Sequence, residues 1–332
     1  MSDKQKILIT GANGYLGAQF SQYLANKGYR VTALCYPEVP KDKVWCSLME
    51  EVLIGSVAEN ETIEMLKERS FDAIIHLVSM DYKKSQTASP EEAIRVNVQP
   101  SWALLDAFSK KNLKTFIFFS TIHVYGAIPA EVIHEDMTLN PGNVYALTHS
   151  MSEQVCDYYN RTTDVNCITV RLSNSYGHPV FTENNCWWLA VNDLCRTAFF
   201  EKSIRLLSDG SPQRDFIHGS DVCRAIGTVL ERAPKNKGRS NYNISSGHTY
   251  TLLELAGIVK EVYLEMYGKD IPVSTPTEVS VKDFDKFSGN PRYRIDHSAL
   301  EKLGFVPECD IKGGIRRLFL YFEKNHICQN IV

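Results

Sequence analysis

The chain has 332 residues, 44% hydrophobic and 23% charged, which is enough apolar side chain to bury one large core or two domains sharing an interface, and too much for a disordered segment. A formal net charge of −3 gives no basic field for a polyanion, and neither a Lys/Arg run nor an aromatic RNA-binding pattern occurs, so no nucleic-acid partner is expected. No apolar run approaches the ~20 residues of a membrane span, so no membrane is expected either.

The start, MSDKQKILIT, passes from a charged hexapeptide straight into an apolar run without a signal-peptide pattern. The nine cysteines are scattered, odd in number and without CxxC spacing. Both features point to a reducing cytoplasm and to no metal site.

Short apolar runs without polar alternation, each followed by a helix-like stretch, read as buried parallel strands. In chain order the sequence predicts a strand at 7–10, a helix at 15–27 closed by Gly28, strands at 31–35 and 52–54, and a helix at 61–69. A strand at 73–78, a helix at 91–111, a strand at 115–120, a helix at 144–160 and a strand at 167–172 follow. This alternation is the pattern of a doubly wound parallel α/β sheet. After Gly177 the rhythm changes, and helices at 184–200, 251–267, 298–303 and 311–324 come without regular intervening strands. The expected organisation is a dinucleotide-binding domain over 1–177, with 215–250 returning to it, and a smaller, mainly helical substrate lobe over 178–332.

Between the first strand and helix lies ILITGANGYLGAQF. Gly11 suits a tight turn, Gly14 admits a pyrophosphate close to the backbone, Gly17 lets helix and strand pack closely, and the helix N-terminus faces the phosphates. An acidic residue ending the second strand would hold the ribose of NAD, and an arginine would suit NADP. Here Cys35 and Tyr36 occupy the reading positions, and Lys41 and Lys43 suit a solvated loop as well as a phosphate. NAD or NADP is expected, with NAD first.

Residues 144–154, VYALTHSMSEQ, set Tyr145 and His149 one helical turn apart on one face. Together with TGANGYLG (10–17), HLVSM (76–80), RVNVQP (95–100), STIHVYG (120–126), RLSNSYG (171–177), RDFIHGSDV (214–222), YNISSG (242–247) and LGF (303–305), the chain resembles the extended short-chain dehydrogenase/reductase family, in particular its nucleotide-sugar epimerases, dehydratases and reductases. The resemblance implies a Rossmann-type fold, Tyr145 as acid/base and Thr121 as its hydroxyl partner. It places cofactor contacts at Gly11, Asn13, Gly14, Tyr15, Leu16, Gly17, Cys35, Tyr36, Ser56, Val57, Leu77, Val78, Ser79, Asn97, Ser120, Tyr145 and His149, with Asn97 also a structural support. It implies a nucleoside-diphosphate sugar held by Thr121, His123, Asn174 and Arg214, and a homodimer through paired helices that include the one bearing Tyr145.

Two positions depart from that pattern. The lysine that in such proteins grips the nicotinamide ribose is replaced by His149. A free phenol titrates near 10, so a base working near pH 7 needs its pKa lowered by about three units, roughly 4 kcal/mol. A histidine, with a reference pKa of about 6.5, is only partly charged there. The expectation is that His149 still hydrogen-bonds the ribose and that activity rises steeply with pH; the rival is a cofactor-binding regulatory protein with little turnover. The second departure is at Ile122 and His123, which stand where sugar dehydratases carry an Asp-Glu pair. Dehydration by that route is disfavoured, and His123 is either a second acid/base or a packing residue.

Arg214 suits phosphate oxygens unless it pairs with Asp215 or Asp221, and Arg292 or Arg294 is a further candidate cation. Trp187 and Trp188 could stack on a nucleobase but read more simply as lobe core, and His76 as a packed residue near the cofactor. The reading is an NAD(P)-dependent enzyme oxidising a sugar hydroxyl at C4. Hydride returned to the opposite face gives an epimerase, release of the keto sugar gives a dehydrogenase, and reduction of a keto sugar is the reverse alternative.

Overall fold

The computed structural model describes residues 4–127, 131–234, 240–276 and 292–325. Seven strands form one parallel sheet: β1 (Lys6–Thr10), β2 (Arg30–Cys35), β3 (Glu51–Ile54), β4 (Ala73–His76), β5 (Thr115–Thr121), β7 (Asn166–Leu172) and β11 (Asn241–Ile244). Their spatial order is β3-β2-β1-β4-β5-β7-β11. The order reverses between β1 and β4, so a ligand crevice opens beyond the C-terminal ends of these strands.

Strand alternation feeds two apolar layers. Ile7 and Ile9 of β1 and Ile117 and Phe119 of β5 face one layer with Phe20 and Ile226. Leu8, Phe116 and Phe118 face the other with Leu104 and Val155. The first is covered by α1 (Tyr15–Asn26) and α9 (Gly219–Arg232); the second by α3 (Asn60–Lys67), α6 (Gln99–Phe108) and α7 (Val144–Thr162). Further helices are α2 (Lys43–Leu48), α4 (Tyr82–Thr87), α5 (Pro90–Asn97), α8 (Ala190–Glu201), α10 (Leu252–Tyr267), α11 (Ser298–Glu301) and α12 (Ile311–Asn325). No described helix is long and apolar enough to cross a membrane.

Several sequence expectations are corrected. The helix predicted over 91–111 is two helices, α5 and α6, broken at Val98. Pro100 has no N–H to donate and its ring crowds the preceding turn. The strand predicted to Val78 stops at His76, and residues 77–80 form a loop over the crevice. The stretch after Gly177 is not without strands. β8 (Asn174–Tyr176) runs parallel to β10 (Gln213–His218), which pairs antiparallel with β12 (Thr249–Thr251). The two-residue pairs β6 (Val132–Ile133) with β14 (Arg294–Ile295) and β9 (Ile204–Arg205) with β13 (Val273–Ser274) complete the strands. The lobe core is helical nonetheless, with Val191, Leu255, Val259, Ile315 and Phe319 buried between α8, α10 and α12.

Candidate active site

The glycine turn forms a cradle that fits a dinucleotide. Gly11 has φ +69° and packs against Val78, and a Cβ on Gly17 would lie 2.0 Å from the Gly11 carbonyl oxygen, so only glycine allows this approach. Gly14 begins α1 without a side-chain cap, leaving first-turn N–H groups open to an anion. Asn13 braces the turn: its side chain donates to the Tyr36 and Glu38 carbonyls and accepts from the Tyr36 N–H.

Cys35 is fully buried in the core beside the cradle, and burial pushes its thiol up to about 12. Its side chain therefore reads no ribose, and the exposed position is Tyr36. Val57 likewise buries its side chain in the other core layer, while Ser56 is only partly buried and accepts from the Ala58 N–H. Leu77, Val78 and Ser79 lie partly exposed beyond β4. Lys41 and Lys43 are exposed.

Asn97 spends its carboxamide on protein. The oxygen accepts from Met80 N–H at 2.7 Å, and the nitrogen donates to Thr148 at 2.9 Å and to Ser85 at 3.5 Å. It therefore ties the loop after β4 to α7 and keeps no side-chain donor for a cofactor. Ser120 is similarly engaged, donating to Glu153 at 2.5 Å. Glu153 forms a buried ion pair with Arg171 at 2.7 Å, and Arg171 also donates to Tyr125 and to the Glu135 carbonyl. This network fixes the end of β5, on which Thr121 sits, against α7.

Asn143 caps α7, accepting from Ala146 N–H at 2.9 Å, and so sets the orientation of Tyr145 in the first turn. Burial pushes the Tyr145 phenol up to about 12, against the lowering influence of the Thr121 hydroxyl. The His149 ring lies 4.3 Å from the Tyr145 ring, centroid to centroid. Its Nδ1 is 2.8 Å from the Tyr145 carbonyl oxygen. A carbonyl only accepts, so Nδ1 carries the proton and Nε2 is left as an acceptor.

Complete burial drives the His149 pKa down to about 4. The partial charge anticipated at this position is absent, because the ring sits against Phe118, away from solvent. His76, hydrogen-bonded through Nδ1 to Thr10 at 2.7 Å, is also driven down, to about 3, by burial and by His149.

A cleft of about 460 Å³ opens over Tyr145, whereas His149 and His76 are buried and are not among its lining residues. Thr121, His123, Tyr145, Asn174 and Arg214 line it together, with Ser120, Tyr15 and Leu16. Tyr15 also donates to the Gly177 carbonyl at 3.1 Å, tying α1 to the second lobe. The His123 ring lies 6.1 Å from that of Tyr145 and is held neutral by burial and by Arg214, whereas Ile122 faces a small apolar cluster.

Arg214 does not pair with either nearby aspartate. Asp215 accepts from Ser173 and Ser246, and Asp221 binds Arg224 at 2.7 Å. Arg292 pairs with Glu254 and Arg294 with Asp296, so neither joins the cleft. The two tryptophans divide: Trp187 is core, but Trp188 is exposed and lines the cleft.

Asp81 and Tyr82 also line it and were not foreseen. The Tyr82 ring stands 6.0 Å from those of both Tyr145 and His123. Their signal was available, since they close the loop that leaves β4 at the crevice.

The profile of the NAD dependent epimerase/dehydratase family matches residues 7–245. Among relatives, a dTDP-glucose 4,6-dehydratase of Streptomyces antibioticus is 25% identical, over 96% of this chain and 92% of its own length. The UDP-glucose 4-epimerase of Thermotoga maritima, solved with UDP-glucose, superposes with a TM-score of 0.79 at 21% identity, covering 97% of this chain and 99% of that one. The UDP-glucuronic acid 4-epimerase of Bacillus cereus, solved with NAD, gives a TM-score of 0.77 at 20% identity, covering 96% of each. With the match spanning the glycine cradle, Tyr145 and the return to the sheet at β11, the chain belongs to the NAD dependent epimerase/dehydratase family.

Proposed function

We propose that this member of the family moves hydride between C4 of a nucleoside-diphosphate sugar and a nicotinamide dinucleotide, with Tyr145 as acid/base. The observation that carries this reading is that Tyr145 and Thr121 line one cleft together with Arg214, Asn174 and the residues following the glycine turn. When bound, the nicotinamide supplies the hydride site. Residues 11–17 hold its pyrophosphate. NAD is put first because a solved relative carries it and no arginine ends β2; NADP would rely on Lys41 and Lys43.

Thr121 holds the sugar oxygen while Tyr145 takes or gives its proton. Arg214 presents a guanidinium fork to the diphosphate, and Asn174 lies beside it. His149, with only Nε2 available, accepts from a ribose hydroxyl instead of donating to it. His123 is a second proton site on the same cleft. Return of hydride to the other face makes the chain an epimerase, and release makes it a dehydrogenase. With Ile122 turned into apolar packing, dehydration through an Asp-Glu pair has no residues to carry it. Exposed Trp102 on α6 and Leu147 and Tyr158 on α7 support a homodimer through these helices.

One observation favours a second reading, reduction of a 4-keto sugar. Tyr145 is a protonated phenol beside a neutral histidine, which suits an acid better than a base.

The test is absorbance at 340 nm with UDP-glucose and dTDP-glucose plus NAD, and with their 4-keto derivatives plus NADH, alongside identification of the dinucleotide released on denaturation. Tightly retained NAD(H) with sugar isomerisation supports epimerisation. Net oxidation of the reduced cofactor supports the reductase reading. A bound dinucleotide without turnover of any sugar would overturn both in favour of a regulatory role.

A further inference from the structure

Of the described residues lining the cleft, Arg214 and Asp81 carry a formal charge at neutral pH, since His123 is held neutral. The two come from different segments: Arg214 lies on β10, and Asp81 directly precedes Tyr82, whose ring stands 6.0 Å from that of Tyr145. A diphosphate held by Arg214 and Asn174, with the sugar carbon at Tyr145, puts the hexose on the Asp81 side of the cleft.

The Asp81 carboxylate is only about a third exposed. One oxygen caps α4, accepting from Lys84 N–H at 2.8 Å, and the other is 3.9 Å from an ammonium, that of the well-exposed Lys84. Long, solvated contacts of this kind screen a charge weakly. Tyr82 walls the same part of the cleft with its ring.

We infer that Asp81 sorts substrates by the charge of the sugar, admitting a neutral hexose, whose hydroxyls donate to the carboxylate, and turning away a hexuronate. The inference rests on the nucleotide-sugar reading above. A C5 carboxylate in this part of the cleft meets a like charge, with Arg214 as the lining cation already committed to the diphosphate, and such repulsion in a half-buried site costs about tenfold or more in affinity.

The experiment is calorimetric titration of the NAD-loaded protein with glucose and glucuronate linked to UDP and to dTDP, for wild type and Asp81→Asn. Asparagine caps a helix as well as aspartate, so α4 is preserved, which circular dichroism checks. Wild type is expected to bind the glucose form about tenfold or more tightly than the glucuronate form, and Asp81→Asn to close most of that gap by gaining affinity for the glucuronate. Equal wild-type affinities, or a gap that Asp81→Asn leaves unchanged, would overturn the inference while leaving the nucleotide-sugar reading intact. Binding of none of the four would overturn both.

Discussion

Replacing His149 by lysine tests the electrostatics of the site. In the wild type the phenol of Tyr145 is pushed up to about 12 and its neighbour is neutral, so hydride removal from the sugar carbon, which needs the proton of its hydroxyl taken, must wait for a rare phenolate. The two rings are 4.3 Å apart, centroid to centroid, and an ammonium at position 149 is taken at about 5 Å from the phenol oxygen. At an effective dielectric constant of about 20, that pair favours the phenolate by about 3 kcal/mol, roughly two pKa units. Dehydrating the ammonium takes part of this back.

The net expectation is tenfold to about a hundredfold more phenolate at any pH below 10. The assay is single-turnover oxidation of the sugar, followed at 340 nm from pH 7 to 10. In the wild type the rate should rise about tenfold per pH unit, because the phenolate fraction does. In His149→Lys the same curve should move to lower pH by about one to two units, whereas reduction of the keto sugar, which uses the phenol, gains nothing. His149→Gln, neutral like the histidine, should leave the curve in place. A wild-type rate flat across this range, or an unshifted His149→Lys profile in a folded protein, would refute the reasoning.

Gly17→Ala should abolish dinucleotide binding in calorimetry, since its Cβ would stand 2.0 Å from the Gly11 carbonyl oxygen and the turn must open to admit it. Arg171→Met leaves Glu153 buried without its partner; a loss of about 3–5 kcal/mol is expected in urea denaturation, with Glu153→Gln milder because Ser120 and Arg171 can still bond an amide oxygen. His149 and His76 are held neutral when folded, titrating at about 4 and about 3, against about 6.5 when unfolded. Below pH 6.5 the unfolded chain therefore binds more protons, so this stability is fully present above that pH and is lost as pH falls toward 4. Urea midpoints should decline across that window, and less steeply in His149→Gln.

Six of the seven strands of the main sheet were legible, the inner ones because burial on both faces writes an uninterrupted apolar run into the chain; β11, with Asn241 and Asn243 in its four residues, was not. The second lobe hid its strands: β10 carries Gln213, Arg214 and Asp215 at its start, and β8 and β12 have three residues each. The resemblance placed Cys35 and Val57 against the cofactor, but strand parity turns Cys35 into one core layer and the turn after β3 buries Val57 in the other. The Tyr145–His149 spacing could be read directly. The neutrality of His149 could not, because it comes from burial against Phe118 of β5, which outweighs the opposing bond from the ring to its own helix. Asn97 looked like a cofactor contact until its three partners were visible.

The central claim is that Tyr145 handles the proton while hydride leaves or joins a nucleotide-linked sugar. Mass spectrometry of a panel of nucleotide sugars and their keto forms, incubated with NAD(H) and NADP(H) and with either wild type or Tyr145→Phe, tests it most directly. A gain or loss of two mass units, or a shift between isomers separable by chromatography, is expected with wild type and should vanish with Tyr145→Phe while dinucleotide binding is retained. Conversion that survives in Tyr145→Phe, or a dinucleotide-loaded wild type that converts no sugar at any pH from 7 to 10, would contradict it.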